Sequence, residues 1–592
     1  MDMFIEENVM IPMRDGVKLA VDIYRPARDG QWPVLLTRLP YNKALRFPVP
    51  GWEEKRIFLE LNLDAERVVQ AGYVIVAQDA RGRFASEGTF EPFVRDAEDG
   101  ADTIAWAASQ PWSSGQVGMY GVSYQGLTQW LAAREQPVAL RAIAPSQTPG
   151  WHIYPYQGGA FTLDVALPWV LTNIAVPQVQ RLVEQGQADP EKYAEIQRVA
   201  SSLPTLFGQL PLTDIPTLQE QAPYYIDWLT HPDFDAYWQE RISEQFHEQV
   251  AIPALTIAGW YDQFLRTDLE YYQSMKQRGG STLAREQQHL VIGPWSHGNF
   301  LRGFADRNYG AASFARDFLT DLHLRWYDHW LKGVDNGIER EKPVHLFVMG
   351  ANVWRAEEAW PLPDTQYRSY YLHSQGHANS AQGDGTLSTT PPQQEPADVY
   401  RYDPRHPVPT VYEGSVPDGQ GQMGPCDQRE VEAREDVLCY TTSPLEQPVE
   451  VTGPLELVLF ISSSAPDTDF TGKLIDLHPD GRAEILSDGI LRARYRQSSA
   501  EPILMEPGQV YQLRVALGAT SNLFLAGHHI RLEVSSSNFP RFNRNTNTGG
   551  HIPAESAADL KLATNRVYHD STHSSYLILP IIERADQQEN HS

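Results

Sequence analysis

The chain has 592 residues, 42% of them hydrophobic and 11% aromatic, and a formal net charge of -27 at pH 7. At one domain per roughly 100–200 residues this length calls for about three domains, and the composition is globular, not disordered. The acidity argues against a nucleic-acid backbone or an anionic membrane as partner, because affinity for either comes from lysine and arginine displacing counterions.

In residues 1–149 the segments WPVLLTR, YVIVAQD, GQVGMYG and LRAIAPS are apolar throughout and alternate with helical patterns. Strands of that kind are buried on both faces, as in a parallel sheet covered by helices. Residues 150–250 change to helical texture, WVLTNIAVPQVQRLVEQG and PEKYAEIQRVASSL, with aromatic stretches between. Because apolar strand runs resume as PALTIAG and HLVIG in residues 251–340, the helical segment reads as a cap inserted into the sheet domain. From 341 to 592 the pattern becomes KPVHLFVMG, QYRSYYLH, LELVLFISSS and HHIRLEVSSS, short alternating runs punctuated by Gly, Pro, Asp and Asn. That pattern predicts an all-β sandwich of jelly-roll type.

No apolar run reaches the roughly 18 residues that span a bilayer. The start, MDMFIEENVM, lacks the basic and apolar segments of a secretory signal. With only Cys426 and Cys439 present, reduced buried thiols are the expectation and a disulfide between them the alternative. A cytoplasmic protein is the simplest reading. The sequence has no CxxC, HExxH, GxxxxGK[ST] or strand-borne GxGxxG, so neither a metal nor an organic cofactor is expected.

Gly121-Val122-Ser123-Tyr124-Gln125-Gly126 follows a predicted strand and opens a predicted helix. A serine at such a tip is forced into a strained conformation that exposes its hydroxyl, and its small neighbours let other backbone pass close by. The pattern is a variant of GxSxG, with Gln125 in the fifth place and the glycine one position later. A serine nucleophile needs a base and a carboxylate to orient it, and in α/β-hydrolases these follow in the order Ser, Asp or Glu, His, each just beyond a strand. Asp262 follows PALTIAG, and His297 sits in the loop after HLVIG. The ordinary alternatives are a turn residue and a loop histidine. His289, His323 and His329 fit the base less well, lying at a strand start or in a helical stretch. The backbone N–H of Tyr124 is placed to donate to a developing oxyanion. Tyr41, in the loop after VLLTR, is either the second donor or a core tyrosine.

GVSYQGLTQW, LPYNK, VIVAQDARGRFASEGTF, WLTHPDFDAYW, AGWYDQF, GPWSHGN and RWYDHWLKGVDNG together resemble the CocE/NonD hydrolases, relatives of the X-Pro dipeptidyl-peptidases. The resemblance implies an α/β-hydrolase fold with an inserted helical cap and a C-terminal jelly roll. It also implies Ser123 as nucleophile, His297 as general base and acid, Asp262 as its partner, and the Tyr41 hydroxyl with Tyr124 N–H as oxyanion hole. Small esters or amides are the implied substrates, and assembly into a homo-oligomer stays open. The amino-ester branch is expected to hold a substrate ammonium with acids just after the triad aspartate. Phe264 and Leu265 stand there instead, which predicts an apolar acyl pocket. Trp151, Tyr154, Phe161 and Trp169 in the cap, with Trp260 and Phe264 near the triad, are candidates to wall it. Asp79, Arg81 and Gly82 read as a structural turn or ion pair. The clustered Asp467, Asp469 and Asp476 lack EF-hand spacing and read as a solvated turn.

Overall fold

The computed structural model describes residues 3–47, 55–56, 59–150, 154–242, 244–300, 303–305, 307–412 and 423–584. The apolar runs of the first half become strands β1 (Met3–Pro12), β2 (Lys18–Pro26), β3 (Trp32–Leu39), β4 (Val74–Asp79), β5 (Ser113–Val122) and β6 (Leu140–Ser146). After the cap come β7 (Ala254–Tyr261), β8 (Gln288–Ser296), β9 (Val344–Val348) and β10 (Val353–Glu357). These ten form one sheet in the order β1-β2-β4-β3-β5-β6-β7-β8-β9-β10. Pairing is parallel from β4 to β9 and antiparallel at both edges.

Alternation along each strand divides two apolar layers. Val34, Leu36, Val74 and Val76 pack with helices α2 (Asp96–Ala108) and α3 (Tyr124–Arg134). Leu35, Ile75 and Ala77 pack on the other face with α1 (Ala65–Gln70) and with Leu319, Trp326 and Tyr327 of a helix at Arg316–Lys332. This is why these strands are apolar at every position.

The cap is helical between Leu163 and Ile242, and a π-helical turn at Trp169–Ala175 directly after Pro168 starts its descent toward the sheet. β9 and β10, which the alternating pattern groups with the β-rich region from 341, pair instead with the first sheet, Leu290 of β8 opposite Val344. A half-exposed edge strand and a sandwich strand have the same alternation, so pattern alone cannot tell them apart.

Among the described residues, eleven strands after residue 365 form the sheet of an all-β domain. Its longest, Val449–Ser463, pairs antiparallel with Tyr511–Phe524 on one side and with Ala563–Tyr568 and Tyr576–Ile582 on the other. Asp467 and Asp469 do not sit in a solvated turn. They are buried, with Asp469 accepting two hydrogen bonds from Arg492 at 2.9 and 3.1 Å and Asp467 two from Arg494, its backbone N and Nε, each at 2.9 Å. Their partners come from the far end of the next strand, Ala483–Arg492, and just past it, where local sequence cannot reveal them. The domain also grips the cap, with Phe161 N donating to Asn543 Oδ1 at 2.8 Å and Tyr412 Oη to Asp164 Oδ2 at 2.7 Å.

Two histidines rejected as bases are core residues. His289 and His323 are buried, and desolvation pushes each from 6.5 down to about 4. Below pH 6.5 the unfolded chain takes up protons that the folded chain refuses until about pH 4. Each histidine therefore removes about 1.4 kcal/mol of stability per pH unit across that window. Urea unfolding at pH 7, 6 and 5 is expected to show this loss, and His323→Leu to lessen the slope. An unchanged slope in the variant contradicts the assignment.

Candidate active site

Ser123 lies between the end of β5 and the start of α3, with φ 65° and ψ -123°. Its N–H donates to Ser146 O at the end of β6 at 2.9 Å, and its carbonyl accepts from Gly126 N at 2.8 Å. A Cβ on Gly121 would stand 2.5 Å from Gln125 Cβ, and one on Gly126 would stand 2.7 Å from Thr148 Oγ1 and 2.9 Å from Ser146 O. The shifted glycine is thereby explained. The neighbouring strand crosses at 126, while Gln125 is free to carry a side chain and uses it to donate to Thr37 Oγ1 at 3.1 Å.

Asp262 and His297 follow β7 and β8, the neighbours of β6 in order. His297 Nδ1 lies 3.0 Å from Asp262 Oδ2, and Phe264 N donates to Asp262 Oδ1 at 2.5 Å. The carboxylate is fully covered while the imidazole keeps 27% of its surface open, so one face of the ring stays available for chemistry. Asp268 lies behind this pair, buried and accepting from Thr148 N at 3.0 Å. Burial and the nearby Asp262 raise its carboxyl well above the usual range.

Gln147 is a residue that sequence reasoning did not find. It is buried with φ 47°, donates from Nε2 to Ser296 O at 3.1 Å and accepts at Oε1 from Gly298 N at 2.7 Å. It thus clamps the backbone on both sides of His297. A polar residue after an apolar strand is too common a feature to have marked it.

Tyr41 lies in the loop after β3, half-buried. Its hydroxyl accepts from Trp169 Nε1 at 2.9 Å. Desolvation raises the phenol above its ordinary value, against smaller opposing influences from Trp169 and the Ser123 side chain. Arg83, from the turn after β4, donates to Pro40 O at 2.7 Å and to Ile174 O and Asn173 O of the cap at 3.0 and 3.2 Å. In the same turn Asp79 pairs with Lys43 at 3.2 Å and Arg81 with Asp99 and Asp15 at 2.6 and 2.8 Å, structural contacts as their sequence suggested. Phe84 there adopts φ 44°.

The proposed pocket residues divide. Trp169 stacks on Tyr124 and on Trp228 with centroids 6.0 and 6.1 Å apart. Phe264 meets His297 edge-on at 5.1 Å and Tyr154 at 5.9 Å. Phe161 packs on Tyr156 and Tyr225 in the cap core. Trp260 donates to Phe347 O at 2.7 Å and packs on Trp360, in the core shared with the β domain rather than in the one that holds Phe264 and the cap. Trp151 lies outside the described residues. Trp228, unnoticed in the sequence, completes the aromatic wall. The Tyr124 hydroxyl donates to Asp96 Oδ2 at 2.5 Å, and Asp96 pairs with the buried Arg38 at 3.5 Å, which anchors the base of that wall.

The X-Pro dipeptidyl-peptidase (S15 family) profile matches residues 15–299, and the X-Pro dipeptidyl-peptidase C-terminal non-catalytic domain matches residues 336–578. Across 98% of this chain and 99% of the relative, the sequence is 44% identical to cocaine esterase from Rhodococcus sp. (strain MB1 Bresler). The chain belongs to the S15 hydrolase family, in its CocE/NonD branch. As a member of that family it is a serine hydrolase with an α/β-hydrolase fold and a separate C-terminal all-β domain. Among solved structures it is similar to an α-amino acid ester hydrolase, with TM-score 0.80, 27% identity and coverage of 98% of this chain and 97% of the other. It is likewise similar to an aminopeptidase from a marine sediment archaeon, Thaumarchaeota archaeon, with TM-score 0.82, 26% identity and the same coverage. Among the described residues no helix is long and apolar enough to cross a membrane.

Removing the clamp should loosen His297 without touching the pocket. Gln147→Ala is expected to lower kcat by about 10- to 10²-fold, the range for slight misplacement of a reacting group, with KM little changed. Steady-state kinetics on an ester check this, and an unaltered kcat assigns Gln147 to packing alone.

Proposed function

We propose that this S15-family hydrolase cleaves carboxylic esters with apolar or aromatic acyl groups through an acyl-serine intermediate. The observation that carries the reading is the Asp262–His297 pair, 3.0 Å apart, on the same sheet rim as a serine held at φ 65°. In this mechanism His297, oriented by Asp262, takes the Ser123 proton as the hydroxyl attacks the carbonyl carbon. The oxyanion is received by the Tyr41 O–H and the Tyr124 N–H. The alcohol leaves with the proton from His297, and a water activated by the same imidazole releases the acid.

Ester preference is supported by the 44% identical cocaine esterase and by the wall of Trp169, Tyr154, Trp228 and Phe264. An aminopeptidase or X-Pro dipeptidyl-peptidase activity requires a carboxylate for the substrate ammonium. The acid nearest in sequence after the triad aspartate, Asp268, is fully buried and held by the Thr148 N–H. Cys426 and Cys439 are buried and unbridged, which fits a reducing compartment such as the cytoplasm.

Ser123→Ala is expected to abolish both p-nitrophenyl ester turnover and covalent labelling by a fluorophosphonate, and labelling that persists rejects the nucleophile. The wild-type protein should turn over aromatic esters faster than Xaa-Pro anilides, and the reverse order makes it a peptidase. Tyr41→Phe removes one oxyanion donor and should lower kcat by about 10²- to 10³-fold. Undiminished turnover in that variant returns Tyr41 to a packing role.

A further inference from the structure

The β domain holds a cluster of metal-ligating side chains that the hydrolytic machinery does not use. Asp476 stands near the end of the strand Asp469–Leu477, His478 opens the turn that follows, and His528 precedes the strand His529–Ser535. One donor atom from each of the three lies within 4.8 Å of those of the other two. The two imidazole centroids are 4.5 Å apart.

Strand register preorganises the group. Asp476 pairs across the sheet with Glu484 on one side and Ile530 on the other, so its side-chain neighbours arrive from adjoining strands. Asp476 Oδ1 accepts from His528 Nδ1 at 2.7 Å, and its Oδ2 accepts from Asn522 Nδ2 at 3.3 Å. The turn at His478 is closed by its own N–H to Arg482 O at 2.9 Å and by Gly481 N to His478 O at 2.9 Å.

An independent feature points to a ligand. His478 Nε2 and Glu484 Oε2 are both buried and make no hydrogen bond, although they face each other at 3.5 Å. Glu484 itself is only 2% exposed. Buried polar atoms normally find partners, and a ligating imidazole normally places its second nitrogen on a carboxylate. The pair His478–Glu484 has that arrangement, with a carboxylate outside the three-residue cluster. Two guanidinium groups, Arg482 and Arg307, lie 3.6 Å from the Glu484 oxygens and balance its charge.

We propose that Asp476, His478 and His528 form a binding site for one divalent transition-metal ion, zinc by its chemistry, that ties the turn after Leu477 to the turn before His529. Two imidazoles and one carboxylate suit zinc and exclude the all-oxygen sets that calcium and magnesium prefer. The ion serves the β domain structurally and takes no part in ester cleavage.

The test titrates zinc chloride into the full-length, chelator-treated protein by calorimetry and follows thermal unfolding with and without the ion. One equivalent should bind saturably and raise the midpoint. His478→Gln should weaken binding at least 10-fold, and Asp476→Asn likewise, with ester turnover in the absence of metal kept as the control for folding. His478 makes no side-chain hydrogen bond among the described residues, so His478→Gln is the milder variant, and its own ester turnover and unfolding midpoint without metal report whether it folds. Absence of stoichiometric binding to the wild-type protein, or undiminished binding to His478→Gln, overturns the proposal.

Discussion

The carbonyl of Ser146 receives the Ser123 N–H at 2.9 Å and would stand at that same distance from any Cβ placed on Gly126. This close crossing of two chain segments holds a non-glycine residue at positive φ, a conformation that persists only where its surroundings over-determine it. The next residue along the crossing strand is Gln147, whose amide fixes both flanks of His297. One contact region therefore sets the backbone of Ser123 and, one residue later, that on both sides of His297. The carboxylate arrives independently from β7, buried and held by the Phe264 N–H.

The cap is tied to this rim by polar contacts as well as by packing. Arg83 joins Pro40, the residue before Tyr41, to the carbonyls of Asn173 and Ile174. Burial pulls its guanidinium down to about 10, still well above neutrality, so it remains charged and its hydrogen bonds remain strong. Trp169 adds a direct link, its indole N–H on the Tyr41 hydroxyl. The loop that carries Tyr41 is thereby joined to the cap through a single oxygen atom.

The aromatic cluster next to Ser123 is part of the hydrophobic core. The Tyr124 ring stacks on Trp169 and its hydroxyl is sunk onto Asp96. Rigid rings with few rotatable bonds hold their positions at low entropic cost. The ion pairs Asp469–Arg492 and Asp467–Arg494 show the β domain using charge inside its core in fixed, hydrogen-bonded pairs, the arrangement in which buried charge is tolerated.

Much of this was legible in the sequence. Continuous apolar strands marked a covered parallel sheet because both faces of each strand meet helices, and the order Ser123, Asp262, His297, with the last two behind consecutive strands, placed all three at strand ends of one sheet because parallel strands deliver their ends to one rim. What the sequence could not decide were contacts made at long range. The edge strands Val344–Val348 and Val353–Glu357 have the alternation of a sandwich but the partners of the first sheet. Trp260 and Phe264, four residues apart, face different cores because one lies on the strand and the other in the turn beyond it. Gln147 and Trp228 carry no local signal, and Asp467 and Asp469 find their arginines only across the next hairpin. Periodicity and chain order report what is covalently near, whereas which side chain meets which across a fold depends on packing that no short segment contains.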